Sequence, residues 1–555
     1  MFLNQTNPGA DRYSLKECVV RATVCGRAAR RVAVALLFGF LLCAEALPGQ
    51  EPSWTEAMAA AQQAYQRADF DVAERLFLSA LKQAEKLGDT DPKLATTLNN
   101  LAELYRTQRR YAEAEPLYRR ALTILDAGKD SDRLEAATVQ NNLALLYYEQ
   151  MRFSEAEPLS RRSLENREKL LGPDNPEIAT TLNNLAELLR ALHRYAEAES
   201  DHKRALAIRE KAFGADHPKV AALLNNLAML YVEQGRSAES RPLLERALAI
   251  REKSLGPEHP DVATTLNNLG ELNRAENHYA DAERFYKQAL LIREKFFGPT
   301  NPEVATILHN LGVLYQDEGR YAQAEPLLRR ALELRIAALG KDDPRVGTAQ
   351  RSLGELYQFQ GRNQEAEPLL KHSLAIQERI VGTESNDLGR VLDALARAYQ
   401  FEGRYQEAEA VLNRLLQIRE RAGAAEHEDM TKTLNSLAGL YRLEGRPMQA
   451  ETVYRRLLVL QERILGPRHQ KVVATLDILA AVTLEQGKLA DADSFFEQAL
   501  SIRGETLGPD HPEVATSLEN YATLLRKAQR LEKAEELEAR ARSIRSKYAE
   551  QPPKQ

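Results

Sequence analysis

The stretch TTLNNLAELYRTQRRYAEAEPLYRRAL, residues 96–122, decides the fold because its elements return along the chain at a fixed spacing. Leu98-Asn99-Asn100 recurs as Leu-Asn-Asn at 182–184, 224–226 and 266–268, and Asn-Asn occupies the same place at 141–142. Successive copies are 42 residues apart. Two landmarks keep this register, a Gly-Arg pair (as at 235–236) and Gly-Pro-x-x-Pro (as at 256–260). A repeat of this length predicts stacked copies of one small unit.

Each unit is predicted to be two helices. The first carries an apolar stripe at helical spacing, as in Ile178, Leu182, Leu185, Ala186 and Leu189. Asn175 followed by Pro176 is typical of a helix start, and the Gly-Arg pair is expected to end that helix. The second helix is predicted over residues 321–339, where Gly340 supplies the left-handed terminal position.

These residues resemble the tetratricopeptide repeat, with Leu98 in place of the family's Trp. The signature continues through Leu101, Ala102, Tyr105, Tyr111, Ala114, Tyr118 and Ala121. The usual period is 34, and the 42-residue form is similar to the repeats of kinesin light chains and their bacterial relatives. The resemblance implies an all-α solenoid, a right-handed superhelix of antiparallel helix pairs whose first helices line a concave groove. The chain lacks a coiled-coil heptad segment, so motor function is not implied.

The repeat register divides the chain into five parts. We expect a leader at 1–46, a divergent N-terminal helix pair at 47–92, ten 42-residue repeats at 93–512, a capping helix pair at 513–548 and a disordered tail at 549–555. Charged residues are dense on the second helix of the capping pair, as a solenoid end requires.

The leader has the layout of a secretory signal peptide. An apolar run at 32–42 follows several arginines and precedes Ala44-Glu45-Ala46, and 11 residues are too few to span a bilayer. We expect export to the periplasm or the medium. An uncleaved short anchor, or translation from a later start with a cytoplasmic product, stays open. All three cysteines lie in this segment, so no thiol chemistry is expected of the cleaved chain.

The resemblance implies that the exposed positions of the first helices contact a partner. Asparagine offers an amide donor and a carbonyl acceptor, so a ladder of asparagines suits an extended peptide backbone. The ladder is full up to Asn268, continues at Asn310 and then decays, which places the expected site in the first half. The predicted peptide-binding residues are Asn99, Asn100, Arg106, Asn141, Asn142, Asn183, Asn184, Arg190, Asn225, Asn226, Asn267, Asn268, Arg274 and Asn310.

The three arginines belong to a pattern with a period of 84. Glu103/Arg106, Glu187/Arg190 and Glu271/Arg274 alternate with apolar or neutral pairs in the intervening repeats. Charged stripes of this kind would select a peptide with matching alternation. Two alternatives stay open: Glu and Arg pair only with each other, or the asparagines brace neighbouring helices.

No motif for catalysis is evident. The ten histidines are dispersed, and those in the connecting loops are expected to cap helices or face solvent rather than bind metal. A net charge of -5 argues against a general nucleic-acid binder. We therefore expect no cofactor, no metal and no small-molecule substrate. The predicted function is a non-enzymatic adaptor for a protein or peptide partner of unknown identity; the alternative is a self-associating scaffold of the cell envelope that uses exposed Phe359, Phe401 and Leu443.

Overall fold

The computed structural model describes residues 53–128, 132–422 and 428–549, and this part of the chain forms 24 α-helices and no strand. The odd-numbered helices, called first helices below, are α1 (Trp54–Gln66), α3 (Pro92–Thr107), α5 (Arg133–Glu149), α7 (Pro176–Ala191), α9 (Pro218–Glu233), α11 (Pro260–Ala275), α13 (Ala305–Asp317), α15 (Pro344–Phe359), α17 (Gly389–Phe401), α19 (Glu428–Leu443), α21 (Gln470–Glu485) and α23 (Pro512–Lys527). The even-numbered second helices are α2 (Phe70–Glu85), α4 (Tyr111–Asp126), α6 (Phe153–Leu171), α8 (Tyr195–Phe213), α10 (Ser237–Leu255), α12 (Tyr279–Phe297), α14 (Tyr321–Leu339), α16 (Asn363–Val381), α18 (Tyr405–Arg421), α20 (Pro447–Leu465), α22 (Leu489–Leu507) and α24 (Leu531–Ala549).

The chain divides into two compact units, one ending at Leu314 and one beginning at Tyr315. Within each unit, first helices pack against their own second helices, and second helices pack against the next first helix, as α3 with α4 and α4 with α5 or α15 with α16 and α16 with α17 show. Each unit is therefore an all-α repeat array, as predicted. The leader at 1–46 and residues 550–555 of the expected tail lie outside the described residues.

The helix ends follow from local chemistry. Six of the twelve described first helices begin at a Pro preceded by a side chain that caps the free N–H groups: Asn175 Oδ1 accepts from the Glu177 N–H at 2.9 Å, and His217 Nδ1 accepts from the Lys219 N–H at 3.1 Å. His259, His469 and His511 cap in the same way. The expectation that the loop histidines cap helices is confirmed for these four.

The turn between the two helices needs one residue in the left-handed conformation. Glycine fills that position in six repeats, as at Gly235 (φ 72°), because it has no Cβ to clash. The second turn, after the second helix, is stricter: Gly256 has φ 86° and ψ 156°, a combination essentially restricted to glycine.

The core is a thin layer of Leu, Ala and Tyr side chains between the helices. All five residues of the stripe predicted on α7 are buried. On α14, Ala324, Leu328, Ala331 and Leu332 are buried as well. Small alanines let the helices approach closely, which explains a core with few large rings.

Candidate functional site

The first-helix face is defined here as residues 96, 99, 100, 103, 106 and 107 and their equivalents at steps of 42. These residues lie on one side of each first helix, and in consecutive repeats they come next to one another. Direct contacts between successive first helices show this adjacency, as between Asn142 of α5 and Asn99 of α3. The face contains all of the residues predicted to bind a peptide.

The asparagines of the first unit form a continuous chain of amide hydrogen bonds. The second Asn of each repeat donates its Nδ2–H to Oδ1 of the first Asn in the repeat before it. The donor–acceptor distances are 3.0 Å for Asn142 to Asn99, 3.2 Å for Asn184 to Asn141, 2.9 Å for Asn226 to Asn183, 3.2 Å for Asn268 to Asn225 and 3.0 Å for Asn310 to Asn267. Five successive links tie α3 to α13.

The two asparagines of a pair differ only partly in how deeply they are buried. The first Asn is nearly inaccessible at Asn183, Asn225 and Asn267, with 2%, 3% and 1% of the residue exposed. Asn99, Asn100, Asn142, Asn226 and Asn310 are half-buried. The geometry therefore gives the ladder a bracing role between repeats. Ligand binding by this set of residues stays a prediction.

The predicted arginines are enclosed by carboxylates. Arg106 donates to Glu103 at 3.0 Å through Nε and also contacts Glu149 of the next first helix. Arg190 repeats the arrangement with Glu187, at 3.0 Å, and Glu233. Arg274 lies 3.5 Å from Glu271. In the first two clusters each guanidinium faces two carboxylates, so its charge is neutralised within the protein.

The first-helix face changes character in the second unit. The Asn positions become Arg351, Asp393, Asn435 and Asp477 along this part of the chain. Position 107, which is Thr107 in the first full repeat, becomes a large apolar residue in three consecutive repeats. Phe359, Phe401 and Leu443 are 60%, 69% and 64% exposed. We call these three residues the apolar row. Phe359 stacks against Tyr321 with ring centroids 5.7 Å apart.

The second helix of the third full repeat places two polar residues in the core. Asp201 and His202 stand where the adjacent repeats carry Leu159 and Ser160 or Leu243 and Leu244. His202 is fully buried, and its Nε2 lies 3.3 Å from Glu187. Burial raises the pKa of the Asp201 carboxyl to about 6, although Arg161, His202 and Arg204 act against it. This repeat therefore carries an ionisable carboxyl and an imidazole at two positions where the preceding repeat carries Leu159 and the buried Ser160.

The arginine of the Gly-Arg pair has a function that the sequence reasoning missed. Arg362 lies over the Tyr357 ring, 4.2 Å from its centroid, and binds Glu325 of the preceding second helix at 2.9 Å. We call this the arginine latch; further members are Arg110, Arg152, Arg236, Arg404 and Arg446. Arg194 binds Glu157 in the same way but has Leu189 in place of the tyrosine. The sequence does contain a signal for this Arg–Glu contact, because a Glu stands 37 residues before most of these arginines.

One latch has the opposite polarity. At the junction of α10 and α11 the second-helix Glu is replaced by Arg241, and its partner is Glu276. Asn273 takes the place of the tyrosine, and His278 takes the place of the turn arginine. A latch with exchanged charges does not pair with an ordinary one, so it favours one stacking order of otherwise similar repeats.

No group of three His, Cys, Asp or Glu side chains is placed to hold a metal ion in the part of the chain that the structure covers. Among the helices at 53–128, 132–422 and 428–549, none combines the length and the apolar character needed to cross a bilayer.

Comparison with known proteins agrees with this architecture. The family model described as tetratricopeptide repeat matches at 55–127, 135–211, 177–253, 219–295, 279–337, 303–379, 345–421, 429–505 and 472–547. A search of the curated proteins gives no match.

Several solved structures are similar over part of the chain. A Podosopora anserina putative kinesin light chain with nearly identical TPR-like repeats is 29% identical, with 38% of this chain and 99% of that chain covered and a TM-score of 0.33. BtubC (BKLC) from P. vanneervenii is 26% identical, with 41% and 92% covered and a TM-score of 0.34. A Rap protein complexed with competence and sporulation factor is 16% identical, with 67% and 99% covered and a TM-score of 0.49.

Proposed function

The chain belongs to the tetratricopeptide repeat family, and from this premise we propose that it is a non-enzymatic scaffold that binds a segment of a protein partner along its first-helix face. The observation that carries the proposal is the apolar row. Three large apolar side chains in consecutive repeats are each more than half exposed. Contiguous apolar surface on a soluble protein marks interaction sites. A segment lying across three first helices would cover all three side chains at once.

The polar part of the face supports the proposal less directly. In the first unit the amides and guanidinium groups already have partners, so a ligand there must compete with existing hydrogen bonds. The half-buried Asn142, Asn226 and Asn310 retain accessible surface. Contacts from these residues to a peptide backbone are part of the proposal, secondary to the apolar row.

The test is partner capture with matched variants of the full chain. The tagged protein is recovered from its own cells, and the proteins that copurify are identified. We expect a triple variant, Phe359→Ser with Phe401→Ser and Leu443→Ser, to lose the partner. Leu291→Ser serves as control, because Leu291 is 67% exposed on a second helix. A partner that the triple variant retains would contradict the proposal.

A second comparison separates the two halves of the face. Asn226→Ala combined with Asn310→Ala removes two half-buried amides and leaves the apolar row unchanged. Weaker capture with unchanged helicity by circular dichroism would support the role predicted from the sequence. Full capture would restrict the asparagines to bracing.

The alternative function is self-association into a structural scaffold, which the same apolar row favours. Sedimentation over a wide concentration range tests it, with the triple variant as comparison. A dimer or polymer that the triple variant abolishes would favour self-association. A monomer at every concentration would exclude it as the role of the apolar row.

Export through the leader is part of the proposal too. Residues 1–46 lie outside the described residues, so the support is the sequence layout alone. Cell fractionation and mass spectrometry of the purified chain are the tests. We expect an envelope or secreted protein whose N-terminus is residue 47. An intact N-terminus in a cytoplasmic fraction would favour the cytoplasmic alternative.

A further inference from the structure

Positive charge surrounds the apolar row of the second unit. Arg390 and Arg397 lie on the same side of α17 as Phe401, and Arg442 adjoins Leu443 on α19. All three arginines are exposed. None of them has a carboxylate partner within salt-bridge distance in the described part of the chain. We call these three arginines together with the apolar row the basic–apolar face.

The carboxylates near the basic–apolar face have closer cationic partners, although the charge of Arg397 also acts on Asp393. Glu355 of α15 pairs with Arg351 at 2.9 Å, and Asp393 of α17 lies 3.4 Å from the buried Arg419. On α19, Asp429 pairs with Lys432 at 2.9 Å. The three arginines therefore leave a net positive charge on this face, which a partner must match.

The first unit provides the contrast. Arg106 and Arg190, its arginines at the repeat position of Arg442, each contact two carboxylates. Position 107 there is Thr, Glu or Ala rather than Phe or Leu. One array thus has a face that is neutralised internally and lacks exposed apolar groups, whereas the other leaves both charge and apolar surface unsatisfied. The unsatisfied face is the one suited to a partner.

The spacing of the apolar row indicates the conformation of that partner. Neighbouring packed helices lie roughly 8–10 Å apart, so each step along the row covers about that distance. Same-side residues of an extended strand recur every ~6.6 Å and do not match. In an α-helix, residues seven apart are about 10.5 Å apart and nearly on one side, which matches two successive steps.

We infer that the basic–apolar face binds an acidic amphipathic α-helix of the partner, with apolar residues at i, i+7 and i+14 on the apolar row and carboxylates toward Arg390, Arg397 and Arg442. The inference rests on the proposed function and specifies its partner. The apolar side chains of such a helix cover Phe359, Phe401 and Leu443. Its carboxylates supply the counter-charges that the protein lacks at this face, and charge of this kind mainly speeds and orders docking.

The experiment uses a designed probe and the full chain. The probe is a labelled 21-residue helical peptide of three heptads with Leu at the contact positions and Glu beside them. Comparison peptides replace every Glu by Lys, or place the same residues in strict alternation as a strand. Binding is followed by fluorescence anisotropy at two salt concentrations. Protein variants are Arg397→Glu and Phe401→Ser, with Arg75→Glu and Leu291→Ser as exposed controls in the first unit.

We expect the acidic helix to bind, and to bind at least about tenfold more weakly to Arg397→Glu and to Phe401→Ser. The control variants should leave the affinity unchanged. The Lys peptide should bind poorly to the unaltered chain and better to Arg397→Glu. Higher salt should weaken the binding of the acidic peptide.

The inference would be overturned by equal binding of the Glu and Lys peptides, by stronger binding of the strand peptide, or by no effect of the two face variants. Failure of the acidic helix to bind at all would overturn it too. Each of these leaves the proposed function standing if the triple variant still loses the natural partner. Loss of the proposed function instead appears as capture that the triple variant retains.

Discussion

Asp201 gives the sharpest test of the physical reasoning, because it places a carboxyl where other repeats use an apolar residue. The equivalent positions in the same unit, Leu117, Leu159, Leu243 and Phe285, pack against the core. Asp201 is half-buried and has no hydrogen-bond partner among the described residues. Replacement by Leu should therefore stabilise the first unit.

The magnitude follows from the pKa. Burial raises the Asp201 pKa from 3.8 to about 6. A carboxyl that binds its proton more tightly in the folded state destabilises the fold at neutral pH by roughly 3 kcal/mol. Because Asp201 is only half-buried, solvent screening reduces this to about 1–2 kcal/mol. Partial burial of a leucine adds about 1 kcal/mol, so Asp201→Leu should gain about 2–3 kcal/mol at pH 7.

The pH dependence has a definite sign. Between pH 3.8 and about 6 the folded state holds more of the Asp201 proton than the unfolded state does, so this group favours folding most at low pH and loses that effect as pH rises. The gain from Asp201→Asn, which removes only the charge, should be near zero at pH 4 and reach about 1–2 kcal/mol at pH 7.

The assay is urea unfolding followed by circular dichroism at pH 4, 5.5 and 7, with hydrogen exchange to place the gain in α7 to α10. Repeat arrays do not always unfold in one step. Hydrogen exchange is therefore needed to show directly which helices are stabilised. Asp216→Asn, at an exposed carboxyl of the same unit, is the control and should show no pH-dependent gain. A gain for Asp201→Asn that is equal at pH 4 and pH 7, or absent at both, would refute the reasoning.

Three further outcomes are expected. Asn225→Ala should lower the free energy of unfolding by about 1–3 kcal/mol, measured by urea denaturation, because it leaves the Asn268 amide without its acceptor; no loss would contradict the bracing role. Arg404→Met, which breaks a latch to Glu367 (2.8 Å), should raise hydrogen exchange at the α16–α17 junction, and unchanged exchange there would contradict the latch. Met151→Gly should stabilise the fold by up to about 1 kcal/mol and so raise the thermal midpoint, because Met151 has φ 60°, which glycine adopts more readily. A lower midpoint would contradict backbone strain at this position.

The fold could be predicted because local sequence patterns determine where its helices begin, end and pack. The stripe at 178–189, the cap at Asn175 and the glycine at 340 are read from a few neighbouring residues, and each was found where expected. The partners of the polar residues were harder. Asn99 and Asn142 are 43 residues apart in sequence, and no local pattern shows that two amides face each other. The asparagine side chains were predicted to offer free donors and acceptors to a ligand. In the fold they hydrogen-bond to one another instead.

The same difficulty explains why the sequence directed attention to the first unit. A regular polar pattern suggests a binding surface, yet regularity across repeats is also what allows each residue to find its partner in the next repeat. Glu103, Arg106 and Glu149 show the consequence, since three charged groups leave little charge for a ligand. The irregular positions behave differently. Where the ladder decays, Arg397 is exposed with no carboxylate within salt-bridge distance among the described residues, and Phe401 is 69% exposed. A partner that covers both is the proposal made above. If the proposed face binds the partner, departures from the repeat locate the binding surface of this chain better than the regular repeat positions do.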